Sequence, residues 1–233
     1  MARGWAASWS KVATNLRTRG FTVTTVELPG HGADQTPAEA LSLTSYVDAV
    51  VEALPSEGPV VLVGHSMAGI VISAVAERVP DRVSKLVYIA AYLPRDGESL
   101  YQLSQTDTGS LVPRYWRQEQ PETYSPAWID RDGIVAVFGA DCSEADQQFL
   151  LTTHKPEALG PLATPVHLTA EHFGRVPRVY VHTLQDGAVS YALQRTMLAN
   201  AGGAATVVAL DASHVPMLSQ PQAVADVIAG VAR

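Results

Sequence analysis

The sequence has little of what marks several protein classes. It holds one cysteine, Cys142, in 233 residues. A lone thiol closes no internal disulfide, and no Cys/His spacing matches a zinc site, so an ordinary core in a reducing compartment is expected. Positive charge is scarce: 16 Lys and Arg stand against 23 Asp and Glu, a net charge of -7. Nucleic acid, whose phosphates want a basic patch, is therefore not an expected partner. The acidic residues are scattered and read as a solubilising surface. No apolar run reaches membrane-spanning length. Residues 1–9 lack the apolar stretch that a secretory leader carries after its basic residue. Repeats and low-complexity tracts are absent as well. A cytoplasmic protein with no membrane partner is the expectation.

What is present is apolar: 47% of residues are hydrophobic and 17% charged. That is enough for a large core, and the length suits one domain with a small insertion. Residues 8–19 place Trp9, Val12, Ala13 and Leu16 on one helical face, and Gly20 stops that helix. Residues 21–28 (FTVTTVEL) are rich in β-branched side chains and predict a strand. A helix is predicted over 43–54, an unbroken apolar strand over 60–63, a buried helix over 66–79 and strands over 85–91, 179–183 and 205–210. Ser219 is placed to cap a last helix with Pro221 in its first turn, turning Val224, Val227, Ile228 and Val231 inward. This alternation specifies an α/β fold, a mostly parallel sheet with helices on both faces.

The rhythm breaks between 93 and 177. That stretch carries Tyr101, Tyr115, Trp116, Tyr124, Trp128, Phe138 and Phe173, and is too long for a simple connection. The expected organisation is a core of 1–93 and 178–233 with an inserted helical cap of 94–177 over the carboxyl edge of the sheet.

The strongest chemical signal is Gly64-His65-Ser66-Met67-Ala68-Gly69, directly after an apolar strand and before a helical pattern. This G-x-S-x-G-like run, with Ala68 at the fifth position and Gly69 next to it, puts a serine on a strained turn with its hydroxyl exposed at the sheet edge. Helix-terminal amides then lie beside it, and the Met67 N–H is one expected oxyanion donor. A serine needs a base, and the base an orienting acid. His214 follows the last strand and Asp186 the one before it, in the chain order Ser, acid, His. Asp211, three residues from His214, is the rival acid. His182 lies within a strand and reads as a core histidine; His154, His167 and His172 are candidate pocket residues, and His31 lies in a loop near the active edge.

Five stretches carry a family resemblance: ELPGHG (27–32), LVGHSMAG (62–69), KLVYIAAYLPRDGES (85–99), FGADCSEAD (138–146) and SHVPMLSQP (213–221). The sequence resembles the plant methylesterase and hydroxynitrile lyase family, with its bacterial esterase-type relatives, of the α/β-hydrolase superfamily. The resemblance implies a capped sheet, a small and mostly apolar pocket, no cofactor and no metal. It also implies a Ser-His-Asp triad, which maps onto Ser66, His214 and Asp186. His65, Tyr92, Trp116, Trp128 and Met217 are the expected substrate-binding residues, although the two tryptophans equally suit the filling of a cap core. Cys142 reads as a packing residue.

Two departures matter. The lyases carry a lysine beside the catalytic histidine, whereas Val215 stands here, which favours the esterase branch. Members also begin with an apolar central strand whose turn supplies the second oxyanion N–H; this sequence starts almost at the following helix. Gly4, Trp5 and Ala6 are the candidates for that donor, with Trp5 preferred. Three accounts of the strand are open: a start upstream of Met1, a partner chain in its place, or a sheet closed up without it. The expected function is hydrolysis of small, fairly apolar carboxylic esters through an acyl-enzyme. A non-hydrolytic lyase or cyclase, or an inactive ligand-binding protein, are the alternatives, and a homodimer is left open.

Overall fold

The computed structural model of the chain describes residues 5–120, 125–204 and 206–232. It opens with α1 (Trp5–Ser8) and α2 (Ser10–Thr18), and α2 buries Val12, Ala13 and Leu16 as their helical spacing demands. After residues 21–28 come α3 (Leu43–Glu52), β1 (Val60–His65), α4 (Ala68–Arg78) and β2 (Val83–Ile89). Ser42 begins α3 with a reciprocal capping pair to Ser45. A long excursion then carries α5 (Leu100–Ser104), α6 (Val112–Tyr115), β3 (Trp116–Gln118), β4 (Ala127–Ile129), α7 (Ile134–Phe138), α8 (Glu144–Thr153) and α9 (Leu159–Ala163). The chain returns through β5 (Arg178–Thr183), α10 (Tyr191–Asn200), β6 (Thr206–Leu210), α11 (Pro216–Ser219) and α12 (Pro221–Val231).

The main sheet is parallel in the order β1-β2-β5-β6. Val87 sits at its centre, level with Val63 and Val179. β2 and β5 are flanked by strands on both sides, and Leu86 to Ile89, Tyr180 and Val181 have no exposed surface. Such continuous apolar runs belong to strands covered on both faces. Because all four strands run the same way, their carboxyl ends gather at one edge, and Ser66, Asp186 and His214 all follow strands there.

Three expectations are corrected. The excursion is not wholly helical, since β3 and β4 form an antiparallel ribbon with Trp116 opposite Ile129 and Arg117 opposite Trp128. Gln220, not Ser219, precedes α12, because Ser219 ends the separate turn α11. Third, residues 21–28 form no strand.

Among the described residues, the amides of Thr22 to Leu28 donate to no protein group. The stretch is instead tied to the first two helices. Arg17 Nη2 donates to the Val23 carbonyl (2.6 Å) and the Ala6 amide to Glu27 Oε1 (3.3 Å). Between it and β1 runs a cavity of about 960 Å³, walled by Phe21 to Leu28 on one side and Pro59 to Val63 on the other. Side chains of α2, α4 and α12 also line it. β-Branched residues favour a pleated neighbour rather than a strand in isolation, and this stretch has no neighbour to pair with. Among the described residues, β1 pairs with β2 alone, and residues 21–28 face it across this cavity.

Candidate active site

Ser66 sits between β1 and α4 with φ 53°, one of two non-glycine residues with positive φ among those described. Such a conformation costs about 1–3 kcal/mol and survives only where the surroundings impose it. Here the Ser66 amide donates to the Ile89 carbonyl (3.4 Å), and the Ser66 carbonyl accepts from Tyr92 and Gly69 (both 3.1 Å). Gly64 and Gly69 permit the crossing. A Cβ at Gly69 would lie 2.1 Å from the Tyr92 carbonyl oxygen, and one at Gly64 2.8 Å from that of Ala68. Neither backbone atom can move aside without breaking the turn. At the start of α4 the Met67 amide donates to no protein group among the described residues, so it is available to an anion with the helix dipole behind it.

The structure brings Asp186 and His214 together. His214 Nδ1 lies 3.1 and 3.0 Å from the two carboxylate oxygens, and both side chains are essentially sealed from solvent, at 1% and 0%. Asp186 Oδ1 also accepts the amides of Ala188 and Val189 (both 2.8 Å), and Oδ2 accepts the Thr183 hydroxyl (2.7 Å) and the Gln194 amide (3.2 Å). These four donors offset the cost of burying the carboxylate's oxygens. Asp211, the rival, is exposed and accepts from Gln185 instead. Ser66 and His214 line the same cavity, the one that continues between residues 21–28 and β1.

His65 is engaged with the base as well as facing the cavity. Its Nε2 donates to the His214 carbonyl (2.7 Å), with the rings 4.5 Å apart. Burial, then the neighbouring His214, holds its pKa well below the ordinary value, so it is neutral and adds no charge beside the base. The Ser213 hydroxyl is bonded to Asp141 and to the Phe138 carbonyl, tying the base's loop to the excursion.

The excursion supplies part of the apolar wall: Leu100, Tyr101, Trp116, Ala127, Trp128, Phe138, Leu159 and Leu162. Tyr92 also faces the cavity, and burial followed by the charges of Asp107 and Asp186 pushes its phenol pKa up, leaving a protonated donor. His31 and His154 reach the wall. His167 and His172 do not; they are exposed and pair with Asp96 and Glu77. Met217, expected against the substrate, is wholly buried and outside the cavity wall, because α11 turns it into the core. Trp5 opens α1, Gly4 lies outside the described residues, and the Ala6 amide is taken by Glu27. The Cys142 thiol is pushed up to about 12 by burial, then by Asp141 and Asp146, which fits a packing role.

The groups that support the acid escaped the sequence reading. Gln194 and Thr183 carry no motif. The one local signal is a polar residue at position 194 on the same helical face as Met197 and Leu198. Among the described residues, no helix is long and apolar enough to cross a membrane, and no cluster of three or more His, Cys, Asp or Glu side chains could hold a metal.

The profile of the Alpha/beta hydrolase family matches residues 1–227. Relatives include the putative methylesterase 12, chloroplastic, of Arabidopsis thaliana, 28% identical over 97% of this chain and 68% of that protein. The pyrethroid hydrolase of Sphingobium wenxiniae is 28% identical over 97% and 83%. A crystal structure of a pyrethroid hydrolase superposes with a TM-score of 0.86 at 26% identity, covering 99% of this chain and 94% of that one. Polyneuridine aldehyde esterase shares the fold, with a TM-score of 0.87 at 22% identity over 100% and 96%. A match over nearly the whole chain, agreeing with the sheet order and with the strained turn that holds Ser66, makes this protein a member of the alpha/beta hydrolase family.

Proposed function

We propose that the protein hydrolyses small, fairly apolar carboxylic esters through an acyl-enzyme on Ser66. One observation carries the reading: the serine on its strained turn and a histidine held at Nδ1 by a buried carboxylate open onto one largely apolar cavity. The ester-cleaving names of the relatives, methylesterase and pyrethroid hydrolase, support it.

In this reading the Ser66 hydroxyl attacks the ester carbonyl and passes its proton to His214 Nε2. The oxyanion is met by the Met67 amide, with Trp5 at the head of α1 as the candidate second donor. Asp186 fixes the Nδ1–H tautomer and stabilises the imidazolium. His214 then gives the proton to the leaving alcohol. A water attacks the acyl-enzyme, losing its proton to the same nitrogen, which passes it to Ser66 Oγ as the acyl bond breaks and the carboxylic acid departs. The 94–177 excursion acts as the cap: its Trp116, Trp128, Leu159 and Leu162 present an apolar, water-excluding wall to the acyl or alcohol group.

The test is hydrolysis of p-nitrophenyl acetate and butyrate, with fluorophosphonate labelling of the serine. Turnover and labelling that vanish in Ser66→Ala support the proposal. Binding of either ester without turnover or labelling would refute it in favour of the inactive binder, and conversion without labelling in favour of a lyase.

A further inference from the structure

Gln194 lies on the inner face of α10 with no exposed surface. Both ends of its amide are engaged. Oε1 accepts the Thr183 backbone amide (3.1 Å) and faces His182 Nδ1 (3.2 Å). Nε2 lies within reach of the Val189 carbonyl (2.8 Å), the Thr183 hydroxyl (3.0 Å), Asp186 Oδ2 (3.2 Å) and the Thr183 carbonyl (3.3 Å). The amide can sit only this way round. Reversed, its oxygen would face a carboxylate and two carbonyls, and its NH2 would face the Thr183 N–H.

The partners are the two ends of the acid's loop. Thr183 precedes Asp186 by three residues and Val189 follows it by three, so one side chain clasps both flanks and touches the carboxylate between them. Because Nε2 approaches the Thr183 hydroxyl oxygen, that hydroxyl's own proton is directed onto Asp186 Oδ2 (2.7 Å). Oδ2 is also the oxygen 3.0 Å from His214 Nδ1. A carboxylate turns easily about its terminal bond. Two donors on Oδ2 and two amides on Oδ1 remove that freedom.

We propose that Gln194 is a positioning residue, whose amide clasps Thr183 and Val189 and thereby holds the Asp186 carboxylate in the plane that fixes the tautomer of His214. The inference rests on the Ser66-His214-Asp186 reading. It touches no substrate atom; it acts through Asp186.

Other titratable groups facing this cluster are His65, His182, Tyr92, Tyr180 and Asp107. Burial keeps both histidines below their ordinary pKa and both phenols above theirs.

The experiment compares the wild type with Gln194→Met, which keeps the length and removes the amide, and Gln194→Glu, which keeps the shape. Methionine should lower kcat roughly 10- to 100-fold by misaligning the acid. KM should change by less than about threefold, since no ground-state contact is lost. The acid limb of the kcat/KM profile should move to lower pH, because a misaligned carboxylate stabilises the imidazolium less. The downfield Nδ1–H proton resonance of His214 should shift or broaden. With glutamate, a second carboxyl stands against Asp186; protonated it can donate, ionised it repels. The activity of this variant relative to wild type should therefore fall steadily as pH rises.

A folded Gln194→Met with unchanged kcat, pH profile and resonance would overturn the proposal. So would a kcat loss with an unshifted limb and an unchanged resonance, which would mark a purely structural role. If Gln194→Met does not fold, the Gln194→Glu ratio decides, and a pH-independent ratio overturns it. If the wild type cleaves no ester, the functional reading fails by itself, while the His214 resonance of the variants still tests the clasp.

Discussion

At the β5 end of the main sheet every polar group around the acid has partners, whereas at the β1 edge a row of backbone amides and apolar side chains faces a cavity. The same chain builds both. Around Asp186, four donors and a histidine converge on one carboxylate, and three of the donors lie within three residues of it in sequence. Around Val60 to Val63, the strand is paired to β2 alone and its side chains stay partly exposed. The difference separates two requirements of a serine hydrolase. Orientation of the base comes from local contacts that one loop and one helix can complete. An oxyanion site also depends on what stands next to the nucleophile's strand, and there the walls are further apart.

The largest way to break this contrast is at the acid. Asp186→Asn should cost about 10⁴-fold in kcat, because an amide NH2 facing Nδ1 selects the wrong tautomer. Steady-state ester hydrolysis reads it, with circular dichroism showing that the fold persists.

Stability should divide along the same line. Leu86→Ala in β2 should cost about 2–5 kcal/mol, since the site is sealed and the void persists. Leu62→Ala in β1 should cost only about 1 kcal/mol, because that side chain already borders the cavity. Urea midpoints of the two variants measure the gap, and equal losses would mean that the β1 edge is as tightly packed as the centre.

A gentler pair uses one methylene. Val61→Ile should stabilise by roughly 0.8 kcal/mol by filling space beside β1. Val87→Ile, at a site with no exposed surface, should destabilise by about 1 kcal/mol through overpacking. Opposite signs in thermal melts are the expected result.

The smallest effect concerns a latch. His31 Nε2 lies 3.1 Å from Glu157, joining the loop after residues 21–28 to the excursion. Burial lowers the pKa of His31, but the hydrogen bond and charge of Glu157 outweigh it and the net shift is upward. A raised folded-state pKa stabilises the protonated form. That stabilisation is complete below the unfolded value near 6.5 and is lost as pH rises through the higher folded value. The melting temperature should therefore fall slightly over that window, and Glu157→Gln should flatten the slope.

Much of the site was legible because it depends on short-range rules. The turn around Ser66 needs glycines where backbones cross, and both close approaches are found at Gly64 and Gly69. Asp186 and His214 were legible from chain order after successive strands. Met217 was misplaced because α11 is a turn of four residues, too short for its inward face to be read from spacing. Gln194 was passed over because a glutamine in an otherwise amphipathic helix carries no signal of what lies opposite.

By itself the sequence determined most of the alternation of helix and strand, the strained serine turn and the order in which Ser66, Asp186 and His214 follow strands, because each follows from local propensity and steric necessity within a few residues. Only the tertiary structure decided whether residues 21–28 pair, which aspartate meets His214, where the nitrogens of His65 and Gln194 are engaged, and which aromatics reach the cavity. Pairing and hydrogen bonding need a partner brought from elsewhere in the chain, and a β-rich stretch without one at its side remains unpaired whatever its composition.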